Sequence, residues 1–368
     1  MTPDSCWRRS ALFLLVAMLA ITRPSVAQDS TAQNLKRLGM QALEENRYVD
    51  AERQLRLALD EFGKSGNSFE VTRTLGDLAN VLMAQERHAE AEQLLTQAFN
   101  MIEGIIVAHS HEASRLFSNL GALYVQTKKY KESELAFNRA LQLLEQNEPE
   151  SPQIVRVLGN LAALHAETGK YKQAQTSLQR ALDLTEKRLG RNHPDLIAIL
   201  INFAGVYQRQ RKWELAESHL LQAARIAERS LRPDHPEVGL ILEHLGVVHS
   251  MQKKLPQAEM ELRRAHEIEV GRLGREGFRS LHISLTLAKV LTEERRYEEA
   301  RTLYSEVLPA QERLLGPKAP ELAATLEAFS RLLHMMNNRE PAVEMEARAK
   351  RIRAENAYTR SVKDLQQW

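Results

Sequence analysis

The chain has 368 residues, of which 43% are hydrophobic, 27% charged and only 5% aromatic, with a formal net charge of +2. That apolar fraction, with 16 Gly and 12 Pro, excludes a disordered or collagen-like chain. At about 150 residues per domain the length alone would give two or three globular units, and near-neutrality excludes a global field that draws in nucleic acid or an anionic membrane.

Arg8 and Arg9 precede the apolar run Ala11 to Ile21, and Ser25-Val26-Ala27 puts small residues where a signal peptidase reads them. Residues 1–27 are therefore expected to be a secretory signal peptide, cut before Gln28. The apolar run ends at Thr22, Arg23 and Pro24, well short of the roughly 20 residues that span a bilayer. Cleavage would remove Arg8, Arg9, Arg23 and Asp4 and leave a formally neutral chain. The only cysteine, Cys6, lies in the same segment, so the mature chain is expected to carry no disulfide and no thiolate chemistry. Export without cysteine favours a bacterial periplasm or another extracellular location over a disulfide-rich secretion route.

After a short linker, 28–34, the sequence repeats itself. Tyr48, His88, Tyr130, Tyr171, Trp213, Leu255, Tyr297 and Arg339 follow one another at intervals of about 42 residues. Three residues after each comes Ala51, Ala91, Ser133, Ala174, Ala216, Ala258, Ala300 or Ala342, and nine before each comes Gly39, Ala79, Gly121, Ala162, Ala204, Gly246, Ala288 or Ser330. Small side chains at fixed positions are what closely crossing helices need. The apolar spacing inside a unit is helical, as in Leu196, Ile197, Leu200, Ile201, Phe203, Ala204 and Tyr207, and no period-2 alternation marks a strand. The predicted units are 35–66, 67–107, 108–150, 151–192, 193–234, 235–276, 277–318 and 319–354, in one continuous domain, with 355–368 a C-terminal capping helix or tail.

Gly169-Lys170-Tyr171-Lys172-Gln173-Ala174 resembles the core of the tetratricopeptide repeat. The longer unit, with Asn160-Leu161-Ala162 and the loop Arg188 to Asp195, is similar to the kinesin-light-chain type. The resemblance covers roughly residues 35 to 354. It implies an all-α, right-handed superhelix, an α-solenoid of helix-turn-helix repeats, whose concave wall is lined by first helices. The seventh unit departs from the pattern, with Gly277-Phe278-Arg279 in place of the His-Pro that opens other units, so less regular packing is expected there.

On that wall the resemblance places stacked pairs Arg73/Asp77, Arg115/Asn119 and Arg156/Asn160, continued by Asn202 and His244. Asn can donate to and accept from a peptide backbone, and Arg offers a fork to carboxylates. The groove is therefore expected to bind a protein or peptide, with acidic side chains or a C-terminal carboxylate as the recognised chemistry; the plainer alternative is solvated surface, with Arg73 pairing to Asp77 along its own helix. No nucleic-acid partner is expected, and self-association through the end units remains open. A second role, as a regulatory or accessory subunit of an envelope enzyme complex, would place any active site on a partner.

Enzyme signatures are missing. Gly63-Lys64-Ser65 lacks the first glycine of a phosphate-binding loop, and His109-Ser110-His111 reads as an inter-unit loop. His193 and His235, recurring before prolines, read as helix-start residues; His244 and His249, five apart, point in different directions around a helix. No catalytic residue, cofactor or metal is predicted.

Overall fold

The computed structural model describes residues 31–102 and 109–365. The expected signal peptide lies outside them. Among the described residues all regular structure is helical, and it forms two compact units that divide between Arg191 and Asn192, beside the expected boundary between the fourth and fifth repeats. In a repeat array each hairpin contacts only its neighbours, so even a continuous array resolves into local units.

The first unit holds α1 (Thr31–Glu44), α2 (Tyr48–Lys64), α3 (Ser68–Ala84), α4 (His88–Ile102), α5 (Ser110–Gln126), α6 (Tyr130–Asn147), α7 (Gln153–Glu167) and α8 (Tyr171–Leu189). The second holds α9 (Leu196–Arg209), α10 (Trp213–Ser230), α11 (Pro236–Met251), α12 (Leu255–Leu273), α13 (Phe278–Glu293), α14 (Tyr297–Leu315), α15 (Pro320–Met335) and α16 (Arg339–Leu365). Helix α1 begins inside the segment expected to be a linker, because Ala32 is buried against Ala58 and Phe62. At the other end α16 runs unbroken from Arg339 into the expected capping segment as far as Leu365, after burying Ala342, Ala349 and Ile352.

Every marker residue, from Tyr48 to Arg339, is the first residue of a second helix. The turn before each is the same. Asn46, Glu86, Lys128, Gly169, Arg211, Lys253, Arg295 and Asn337 all take positive φ. The next residue's N–H then donates back into the last turn of the first helix, as from Arg47 to Ala42 O at 2.8 Å and Arg296 to Leu291 O at 2.9 Å. This is the Schellman closure of a helix C-terminus. Glycine fills it only in the fourth repeat, at Gly169.

The two helices of a hairpin bury different amounts for a geometric reason. A first helix is sandwiched between second helices, so α13, between α12 and α14, buries two faces: Leu281, Ile283, Leu285, Leu287, Ala288, Val290 and Leu291. Its partner α14 buries one stripe, Ala300, Tyr304, Val307 and Ala310, and turns most of the remainder to water. The small series marks where such helices cross. A Cβ on Gly121 would lie 2.7 Å from Phe137 Cε1, and one on Gly246 would lie 2.6 Å from Leu262 Cγ. Where the small residue is serine it also ties the crossing, Ser133 Oγ donating to Gly121 O and Ser330 Oγ to Ala342 O, both at 2.8 Å.

Neighbouring hairpins are joined at the edge by a recurring ion pair. The cation before a marker reaches the carboxylate four residues after the preceding marker: Arg87 to Glu52 at 2.6 Å and Lys170 to Glu134 at 2.7 Å in the first unit, Lys254 to Glu217 at 3.0 Å and Arg296 to Glu259 at 2.7 Å in the second. Such surface pairs contribute about 0–1 kcal/mol each.

Candidate functional site

In the first unit the wall positions lie on α3, α5 and α7, and the structure joins three of the six, Arg73, Asp77 and Arg115, to one another. Arg73 lies 3.0 Å from Glu70 on its own helix and 3.7 Å from Glu112 on α5. Its guanidinium also sits over the Phe69 ring at 5.8 Å. Asp77 is buried, with Lys36 Nζ 3.3 Å away on α1 and Arg115 Nη1 2.6 Å away on α5. Arg115 holds Glu112 at 2.7 Å and donates to the Arg73 carbonyl at 2.8 Å. Asn119 donates to Gly76 O at 3.2 Å. Lys36 completes the set by pairing with Glu70 at 3.0 Å.

Three cations and three carboxylates thus close on one another across three hairpins. Burial works to raise the Asp77 carboxyl, but Arg115 and Lys36 outweigh it and hold it below the usual carboxylate range. Arg115 stays fully charged between its two carboxylates. The residues that complete this set, Lys36, Glu70 and Glu112, were not singled out in the sequence. The signal for Glu70 and Glu112 was an acid at the same repeat position in consecutive units, three residues before each arginine; Lys36 carried no such signal.

The fourth repeat breaks that rule. Gln153 stands three residues before Arg156 where Glu70 and Glu112 stand before Arg73 and Arg115, and Asn119 replaces Asp77 as the residue one repeat back. Arg156 therefore meets an amide: with the Gln153 side chain oriented to satisfy both His111 and Arg156, its oxygen accepts from Nη2 at 3.0 Å, and among the described residues no carboxylate pairs with Arg156. Burial, and then repulsion from Arg115, push its guanidinium below its ordinary value. Half-buried Asn160 lies one turn further along the same helix face. His111, on α5 and not in a loop, packs its ring on the same Gln153 amide at 2.6 Å.

In the second unit Asn202 is half-buried on α9, and His244 is buried on α11 with its Nδ1 3.3 Å from Gln208 Oε1. Burial lowers the His244 imidazole to about 4, against the opposing pull of Glu243. Glu243 holds Arg279 at 2.7 Å and His282 Nδ1 at 2.8 Å. Glu243 and Arg279 occupy the repeat positions of Lys36 and Glu70 with the charges exchanged.

His193 and His235 do act at helix starts: each accepts through Nδ1 from the backbone N–H two residues on, Asp195 and Glu237, at 3.2 Å. His249 does not share a site with His244; it lies between Glu261 at 2.8 Å and Glu217 at 3.1 Å.

The described residues form sixteen helices paired as hairpins, with one turn and one crossing geometry recurring at a fixed interval, and this defines a helical-repeat protein. The Tetratricopeptide repeat family model matches residues 70–146, 153–229, 195–268 and 280–355, and the chain belongs to that family. No curated protein matches the sequence. Among solved structures, BtubC (BKLC) from P. vanneervenii is 19% identical with a TM-score of 0.55, covering 62% of this chain and 92% of its own. The apo form of RapI is 16% identical with a TM-score of 0.56, covering 78% and 99%. A single-residue variant of a Podosopora anserina protein, described as a kinesin light chain with nearly identical TPR-like repeats, is 22% identical with a TM-score of 0.50, covering 56% and 98%. These likenesses describe the fold, an all-α repeat superhelix.

Proposed function

We propose that this protein is an exported interaction scaffold that binds an acidic segment of a protein partner on its first-helix wall, with Arg156 as the principal anchor and Asn160 contacting the bound backbone. One observation carries the reading: Arg156 is the wall arginine whose neighbours have exchanged both carboxylates for amides. A partner carboxylate, from an acidic side chain or a chain terminus, would supply the missing charge in bidentate geometry. Arg73 and Arg115, by contrast, are saturated from within. Family membership supports protein binding in general; the acidic chemistry rests on Arg156.

Export is proposed from Arg8, Arg9, the apolar run and Ser25-Val26-Ala27. Among the described residues no helix is long and apolar enough to cross a membrane. Amino-terminal sequencing of the protein recovered from the envelope fraction tests it: a start at Gln28 is expected, and a start at Met1 would refute it. The binding reading is tested by screening the protein on a peptide array. The strongest ligands should carry carboxylates, and Arg156→Ala should weaken them about 10–100-fold, the worth of one desolvated charge-assisted pair. An unchanged array pattern would remove the claim.

A further inference from the structure

Eleven residues after each marker and thirteen before the next, the sequence places a pair of residues at each repeat junction, and within the two units most of these pairs are apolar: Leu59/Leu75, Phe99/Phe117, Leu141/Leu158, Ala224/Leu242 and Leu308/Leu326. The pairs fill the wedge between successive second helices and the first helix beneath them. Phe99 and Phe117 show it directly, their ring centroids 4.5 Å apart, and Leu308 packs on the cluster that contains Leu326. One junction breaks the series. Between the sixth and seventh repeats the pair is His266/Ser284.

The wedge there is hollow. A cavity of about 430 Å³ opens between α12, α13 and α14 and is lined by both His266 and Ser284. Its floor is aliphatic, with Leu281, Leu287 and Val307 each less than a tenth exposed. Neither His266 nor Ser284 is tied into a hydrogen bond with another described residue, and burial followed by Arg275 pushes the imidazole below its ordinary value, keeping it neutral at pH 7. The mouth carries both signs, Arg263 and Arg275 against Glu267, Glu276 and Glu306, so an anionic ligand gains no net attraction. The same junction carries Gly277-Phe278-Arg279, the loop that departs from the His-Pro start of other units.

We propose that this cavity is a binding site for a phenolic ring, an apolar six-membered body on the aliphatic floor with a hydroxyl between the Ser284 hydroxyl and the His266 imidazole. An apolar cavity of about 150 Å³ already admits benzene, so the volume suffices for a substituted ring. The neutral imidazole and the serine can each donate and accept, matching a phenol, which does both. The ring would restore from outside the apolar filling that the other junctions supply from within. The site is separate from the Arg156 wall and stands or falls independently of it.

The test titrates p-cresol into the full chain while following the methyl resonances of Leu281, Leu287 and Val307. Saturable shifts at millimolar concentration are expected, the range set by eight heavy atoms. Toluene, without the hydroxyl, should bind several-fold more weakly. Ser284→Leu, which installs the residue found at that position in most repeats, should abolish the shifts without loss of stability, and His266→Leu provides a second variant should that one misfold. Displacement of p-cresol by N-acetyl-Gly-Tyr-Gly-amide would identify a partner's tyrosine as the source of the ring; p-cresol binding with no displacement would identify a free phenol. No saturable shift for either probe, toluene binding as tightly as p-cresol, or Ser284→Leu binding as wild type would overturn the proposal.

Discussion

Arg115 Nη1 lies 2.6 Å from Asp77 Oδ1, across the junction between the second and third hairpins. Both side chains are nearly excluded from water, at 12% and 9% exposure. Removing one partner leaves the other buried with a single close opposite charge, Glu112 for Arg115 or Lys36 for Asp77, and should cost up to about 3 kcal/mol. Arg115→Ala and Asp77→Ala should therefore each lower the urea midpoint strongly. The double variant Arg115→Ala/Asp77→Ala should lose less than the sum of the two single losses, because once one charge of the pair is gone the other has less to lose. A double-mutant cycle by urea unfolding measures this; additive losses would contradict it.

Packing at the helix crossings makes a paired prediction. Gly121→Ala brings a methyl to 2.7 Å from Phe137 and should destabilise by about 1–3 kcal/mol. Gly205 sits mid-helix in α9 with nothing within 4 Å of the added carbon. Gly205→Ala should stabilise by up to about 1 kcal/mol through helix propensity. Thermal or urea unfolding of the two variants should shift in opposite directions.

The turns offer a second route to stability. Arg211 holds φ 57° between α9 and α10, a conformation that an L side chain adopts at a cost. Arg211→Gly should raise the unfolding free energy by about 0.5–1 kcal/mol, and Gly169→Ala, at φ 75° in the equivalent turn, should lower it by a similar amount. Calorimetry of both variants checks the pair.

Acid should act on the second unit through His244. Its folded pKa is depressed to about 4 from 6.5, so the neutral form is favoured in the fold. Above pH 6.5 both states are neutral and nothing is lost. As pH falls from 6.5 toward 4 the unfolded chain takes up the proton first, and stability declines. Urea midpoints across that range should fall for the wild type and fall less for His244→Gln.

The repeat frame was legible because its chemistry recurs. Every marker residue opens a second helix, and every small position is buried at a crossing. Wall residues were legible as positions but not as partners. Arg73 and Asp77 are four apart on one helix, and that spacing invites a local pair; yet Asp77 turns to Arg115, 38 residues on, and Arg73 turns to Glu70. Such pairing depends on which neighbour each helix face meets, and periodicity alone carries no charge partner. The polarity exchange of Lys36–Glu70 into Glu243–Arg279 shows the same freedom: a junction needs opposite charges and does not specify which helix supplies which. The exchange of Glu for Gln153 beside Arg156 was visible in the sequence, and acquires meaning only once Glu70 and Glu112 are seen to be spent on the arginines before it.

If Arg156 awaits a carboxylate from outside, the most direct test supplies one from inside. Gln153→Glu restores the acid found three residues before Arg73 and Arg115, and titration calorimetry compares this variant with the wild type against the strongest acidic peptide from the array. We predict roughly a tenfold or greater loss of affinity, the worth of about one charge-assisted pair, with a urea midpoint equal to or above that of the wild type. Undiminished binding to Gln153→Glu would contradict the account.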